Sequence, residues 1–256
     1  MSKRKRFVFT SLALSLGFVG IQFLPDQFRM LAIAGLGLLT LFLFSWSLFE
    51  GLGKDMTLLS LVLPTLYTVG VGLFWFLLPA TIFTRLPVVI LYGLGIYALC
   101  LTSNIYTVAA IRTIALLRAA KGVGFVITLV TLFLIFDAIL SLRIPVWFTA
   151  PAVAVISLPL FLQGFWVVPL EKTISKEVYL ISLVSSLIVG EIAALLYFWP
   201  VTVVVGSLFL TVSAYMLLGL GQAKLESRLF SLTIREYLVV GILVFLGMFL
   251  ATRWGG

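Results

Sequence analysis

The sequence contains no histidine, a single cysteine and few charged residues. The absence of histidine removes the commonest transition-metal ligand of proteins and their commonest general base. With Cys100 as the only cysteine, an internal disulfide is impossible. These absences exclude most metalloenzymes and most serine or cysteine hydrolases, and we expect neither a metal ion nor a cofactor.

Charged residues make up 10% of the chain and hydrophobic residues 62%, against about 25% and about 45–50% in soluble domains. A chain of this composition is predicted to lie in a lipid bilayer. Its formal net charge of +8 therefore indicates Lys and Arg at a membrane surface rather than a nucleic-acid partner.

Charged residues and prolines divide the chain into about nine apolar segments, and spanning a bilayer takes roughly 17–25 residues. We predict an all-α fold, a polytopic transmembrane bundle in a single integral membrane domain, 1–256. Four outward hairpins, each with proline at its turn, precede one final helix. The hairpins fit either an internal repeat or a bundle that needs helix breakers at its turns. The predicted spans are 7–24, 30–49, 57–78, 87–109, 122–142, 146–168, 178–198, 201–221 and 237–252.

The distribution of cationic residues predicts the orientation of the bundle. If the N-terminus is inside, only Arg29, Arg85, Arg143 and Arg253 fall in outside segments, and all other Lys and Arg fall in inside segments. Short cytoplasmic loops are enriched in Lys and Arg. We therefore expect the N-terminus inside and the C-terminus outside, most simply in a prokaryotic cytoplasmic membrane.

Two of the inside segments carry clusters of cations. We predict that residues 224–236 form an amphipathic helix along the membrane surface, since Leu225, Leu229 and Leu232 separate from the cations at helical spacing. An anchor before the last span fits this segment better than a lipid- or partner-binding element. The other segment, residues 112–121, fits a charged loop that sets the topology better than it fits a docking surface for a cytoplasmic partner. The membrane-surface cations of the two segments are Lys224, Arg228, Arg235, Arg112, Arg118 and Lys121.

Asp137 and Glu191 are acidic residues inside apolar spans. An acid at mid-span costs about 2.5–3.5 kcal/mol on insertion scales, so such side chains usually face the bundle interior or water. Each precedes a turn proline, Pro145 or Pro200, by a similar interval, which places both roughly 12–14 Å from their helix ends. We expect both to point into the bundle at similar depth. As a pair they can share a proton, bind a cation or hold a cationic substrate; singly, each is a protonated or hydrogen-bonded structural residue.

Asn104 and Gln163 are the other large polar residues within the spans. Each either lines a polar path or bridges two helices, and bridging is the commoner role of such side chains in membranes. With the two acids they complete the candidate intramembrane polar site.

Three functions fit these features, and no sequence motif selects among them. The first is transport or permeation of a small solute, an ion or a lipid. The second is a non-catalytic subunit or scaffold, with membrane-protein partners or a second copy of the chain within the bilayer. The third is an enzyme acting on a lipid-linked substrate, which the lack of histidine disfavours. A cavity that reaches both acids would favour transport, and a closed apolar bundle would favour a subunit.

The predicted orientation is tested with reporter fusions at the two ends of the chain. We expect a periplasmic reporter to be active at the C-terminus and a cytoplasmic reporter at the N-terminus, because the cations then lie on the cytoplasmic side. A cytoplasmic C-terminus would mean that the number of spans is even.

Overall fold

The computed structural model describes residues 2–49, 59–79, 81–109, 115–171 and 173–252. Within these ranges the chain forms nine α-helices and no strand. It divides into two compact units: unit 1 is Met1–Thr131 with Leu170–Lys172, and unit 2 is Leu132–Pro169 with Thr173–Gly256. The predicted all-α membrane bundle is confirmed, and the single integral domain stays a prediction.

Each helix overlaps one predicted span. Eight of them, α2 to α9, are long and apolar enough to cross a membrane. The first helix instead begins with consecutive cations, Lys3 to Arg6. The helices are α1 (Lys3–Ile21), α2 (Asp26–Leu48), α3 (Leu59–Leu77), α4 (Ile82–Ala109), α5 (Leu117–Ser141), α6 (Val146–Trp166), α7 (Lys176–Tyr197), α8 (Val203–Leu225) and α9 (Ser231–Ala251).

Proline marks most of the helix ends where the sequence predicts turns. Pro25 and Pro145 are the N-caps of α2 and α6, where a missing N–H costs nothing and the fixed φ suits helix entry. Pro79 and Pro200 lie between helices. Pro87, the first residue of the predicted span 87–109, lies inside α4.

Unit 1 is held together by buried hydroxyl groups as well as by apolar packing. Thr68 on α3 accepts a hydrogen bond from Thr40 on α2 at 3.0 Å, and lies 2.9 Å from the Tyr92 hydroxyl on α4. All three side chains are at most 1% exposed. A second pair, Thr10 and Ser47, joins α1 to α2 at 2.7 Å. Such bonds specify which helices pack together in an apolar medium, where water provides no alternative partner.

Unit 2 has its closest helix packing between α6 and α7. A Cβ built on Gly190 of α7 would lie 2.9 Å from the Ala154 Cβ and 3.1 Å from the Ala150 carbonyl oxygen, both on α6. Small residues at such a crossing let two backbones approach closely, which increases van der Waals contact. In contrast, α9 buries only Met248.

The amphipathic helix predicted over residues 224–236 is wrong. Helix α8 ends at Leu225, and α9 begins at Ser231. Ser227 adopts a left-handed φ of 56°. The N–H groups of Ser227 and Arg228 donate to the carbonyls of Lys224 and Ala223, at 3.0 and 2.8 Å. This is the Schellman arrangement, which satisfies the last carbonyls of a helix and turns the chain away from the helix axis.

Gly190→Ala should destabilise the protein by about 1–3 kcal/mol, because the new methyl group has no room against α6. The measurement is thermal denaturation of the purified protein in detergent. Gly247→Ala is the matched control: a Cβ there meets nothing within 4 Å, so the same change should be neutral or stabilise α9 by up to about 1 kcal/mol. Equal effects at the two positions would contradict the close α6–α7 contact.

Candidate functional site

Asp137 is buried in the half of α5 that belongs to unit 2. Its side chain is 5% exposed and follows the fully buried Phe136. The Ser207 hydroxyl on α8 donates to Asp137 Oδ1 at 3.1 Å, and it also lies 3.0 Å from its own helix's Val204 carbonyl oxygen. The Ser207 hydroxyl has one proton, which it can donate either to Asp137 or to the Val204 carbonyl oxygen. It can therefore donate to an Asp137 carboxylate, or donate to Val204 while it accepts from an Asp137 carboxylic acid. The pair therefore tolerates both protonation states of Asp137.

A cavity of about 600 Å³ lies in unit 2 at the end formed by the α5–α6 and α7–α8 turns. We call it the turn-side cavity. It is lined partly by apolar side chains and partly by one cation, an indole, a phenol and a hydroxyl. These lining residues are Leu140, Arg143, Leu196, Tyr197, Trp199, Pro200, Val201, Thr202, Val203 and Gly206.

The turn-side cavity and the Asp137–Ser207 pair are adjacent along two helices. Leu140 lies one helical turn beyond Asp137 on α5, and Gly206 directly precedes Ser207 on α8; both line the cavity. A Cβ on Gly206 would lie 3.3 Å from Leu140 Cδ1, so α5 and α8 are in close contact there. Asp137 and Ser207 do not themselves line the cavity; they lie behind the lining residues Leu140 and Gly206.

The prediction that Glu191 points into the bundle is wrong. Its side chain is exposed on α7, and no hydrogen bond or ion pair to another described residue involves it. The physical reason is the rotation of α7, which turns Val189, Gly190 and Ala193 towards the protein and leaves Glu191 on the exposed side. The paired site of two inward carboxyl groups is therefore not formed, and only Asp137 is buried.

The two predicted polar bridges differ in their surroundings. Asn104 is half-buried on α4, in unit 1. Gln163 on α6, in unit 2, is 3% exposed, and its Oε1 receives no hydrogen bond from the residues that the structure describes. The neighbouring Gly164 carbonyl oxygen accepts a hydrogen bond from Gln222 Nε2 at 2.9 Å. The Gln222 side chain, rather than Gln163, thus links α6 to α8.

The predicted surface cations lie on exposed or half-exposed parts of the helix ends and turns. Lys224 contacts Glu177 at 3.9 Å and Arg228 contacts Glu226 at 3.8 Å, and ion pairs as exposed as these contribute little stability. Arg118 and Arg235 are exposed, and Lys121 is half-buried. Arg112 lies outside the described residues.

Sequence reasoning missed a buried cation in unit 1. Arg85, predicted to be an outside loop residue, lies in the first turns of α4 and is only 8% exposed. Its guanidinium carbon is 5.1 Å from the Trp75 ring centroid on α3, a cation–π distance. The signal available in the sequence was a Trp at the end of one span and an Arg at the start of the next.

The fold and this polar site define an integral membrane protein of the helical-bundle class. The chain belongs to the family described as "Protein of unknown function (DUF5656)", whose model matches residues 50–251. The match includes α3 to α9. No curated protein and no solved structure matches the chain.

Ser207→Ala should destabilise the protein by about 1–3 kcal/mol, because it leaves the buried Asp137 carboxyl group without its hydrogen-bond partner. Thermal denaturation in detergent measures the loss. Ser213→Ala, also on α8, removes only a bond to the Phe209 carbonyl of the same helix and should change the midpoint much less. If Ser207→Ala destabilised an Asp137→Leu protein as much as it destabilises the wild type, the pair would not be the cause.

Proposed function

We propose that this protein transports or conducts a small solute or ion across the membrane, and that Asp137 takes up a proton or cation during transport. The observation that supports the proposal is the position of the Asp137–Ser207 pair behind Leu140 and Gly206, two residues that line the turn-side cavity. A buried acid in a membrane helix is costly and commonly marks an ion or proton pathway.

The lining of the cavity supports a polar rather than a lipid cargo. Arg143, Trp199 and Thr202 supply a cation, an indole and a hydroxyl near the turns, whereas a groove for acyl chains would be apolar throughout. The Asp137–Ser207 pair can hold or release a proton without losing its hydrogen bond, as its geometry suits either protonation state. A carboxyl group used in this way need not move far from its place between α5 and α8.

The orientation of the protein in the membrane is part of the same proposal. The cation distribution supports an inside N-terminus in a prokaryotic cytoplasmic membrane. The turn-side cavity, which contains the predicted outside residue Arg143, then opens away from the cytoplasm.

Asp137→Asn should abolish protein-dependent ion flux while leaving membrane insertion intact, since the amide cannot exchange a proton. The measurement uses proteoliposomes loaded with a pH dye, in which valinomycin and a K⁺ gradient impose a negative interior potential. We expect the wild-type protein to acidify the interior at least several-fold faster than protein-free liposomes show. The Asn variant should match the protein-free rate.

Glu236→Gln is the control, as it removes an exposed carboxyl group of α9 and should retain the wild-type rate. A wild-type rate equal to that of protein-free liposomes would contradict the proposal. So would an Asp137→Asn protein as fast as the wild type.

A further inference from the structure

The lining of the turn-side cavity carries a positive charge and no negative one. Arg143 is the one charged residue among the residues that line it. In the part of unit 2 that the structure describes, no acid lines the cavity and none forms an ion pair with Arg143, whereas Lys224 and Arg228 each contact an acid. The described acids of this unit are Asp137, Glu177, Glu191, Glu226 and Glu236.

The backbone of Arg143 adopts a conformation that favours glycine. Its φ is 48°, in the left-handed region, which is costly for a residue with a Cβ. Its N–H donates to the Leu140 carbonyl oxygen at 3.3 Å at the end of α5, and Pro145 caps α6 two residues later. The turn between the two helices thus holds an arginine where glycine would be less strained. Strained positions of this kind cluster at binding sites.

The α7–α8 turn adds hydrogen-bond donors to the lining. Thr202 is the N-cap of α8, and its Oγ1 accepts from the Val205 N–H at 3.4 Å, which leaves its hydroxyl proton for another acceptor. Tyr197 contributes a phenol hydroxyl. Val203 lines the cavity from the first turn of α8, where the N–H groups have no acceptor within the helix. Together with Arg143 these groups suit an anion.

Apolar groups make up the rest of the lining. Leu140, Leu196 and Val201 contribute aliphatic side chains. Trp199 contributes an aromatic ring, since its indole N–H already donates to Thr252 Oγ1 at 2.8 Å. An inorganic anion would leave these groups without an apolar partner, whereas a carboxylate attached to an apolar body matches both parts of the lining. The volume of about 600 Å³ is ordinary for a small-molecule site.

We propose that the turn-side cavity is a binding site for a small organic carboxylate with an apolar body, and that Arg143 binds the carboxylate group through charge-assisted hydrogen bonds. This inference rests on the proposed function, because it names the class of solute that the protein would transport.

The experiment compares two probes of the same shape, benzoate and its uncharged amide, benzamide. Isothermal titration calorimetry measures the binding of each to the purified full-length protein, in an uncharged detergent and at neutral pH. We expect the wild-type protein to bind benzoate at least tenfold more tightly than benzamide, since only benzoate presents a charged acceptor to the guanidinium group.

Arg143→Gly tests the residue without endangering the fold. Glycine adopts a left-handed φ without a Cβ penalty, so the midpoint of thermal denaturation should not decrease. The affinity for benzoate should decrease at least tenfold, and the affinity for benzamide should stay the same.

Arg143→Gln and Arg235→Gln are the matched pair. Both remove one exposed cation of unit 2, but Arg235 lies on α9 and does not line the cavity. Arg143→Gln should weaken benzoate binding at least tenfold, and Arg235→Gln should retain the wild-type affinity.

Three results would overturn the proposal. Equal affinities of the wild-type protein for benzoate and benzamide would show that the cavity takes up apolar molecules regardless of charge. No binding of benzoate would indicate that Arg143 contacts only lipid phosphate groups at the membrane surface. An unchanged benzoate affinity in the Arg143→Gly protein would place the binding elsewhere. Because the assay involves no flux, each of these results leaves the flux expected of Asp137→Asn unaffected.

Discussion

The need to satisfy polar groups without water governs this structure. In a bilayer, every buried N–H, hydroxyl and carboxyl group requires a partner within the protein. Most hydroxyl groups find one locally: Thr65, Thr128 and Thr211 each donate to the carbonyl oxygen four residues earlier in the same helix. The few that reach another helix, such as Thr40 and Thr68 in unit 1, determine which helices are neighbours.

The same requirement explains the contrast between Asp137 and Glu191, the two acids within apolar helices. Asp137 is buried and finds a hydroxyl donor on α8, so unit 2 can contain it. Glu191 is on the exposed side of α7, and no described residue of its unit donates a hydrogen bond to it. Asp137 therefore fits a site within unit 2, and Glu191 is not part of that site.

The sequence predicted the number and position of the helices well, because apolar length and charge depend on the bilayer rather than on tertiary packing. It predicted the burial of Asp137 but not the exposure of Glu191. The rotation of α7 depends on the Gly190 contact with Ala150 and Ala154. Because a membrane helix is hydrophobic on all sides, its sequence does not show which side packs against other helices. The sequence did not predict the end of α8 before Ser227, because serine is not the usual residue in the left-handed conformation after a helix. The helical spacing of the leucines also continues past this position.

The last helix, α9, depends more on the bilayer than on contacts with the other helices. Helix α9 buries only Met248 and is joined near its end by the Trp199 indole, which donates to Thr252 Oγ1 at 2.8 Å. With so little of its surface against protein, its tilt is set mainly by its own apolar length and by the thickness of the surrounding hydrocarbon. A thinner bilayer would therefore incline α9 about this fixed end, while the closely packed α6 and α7 would resist the same change.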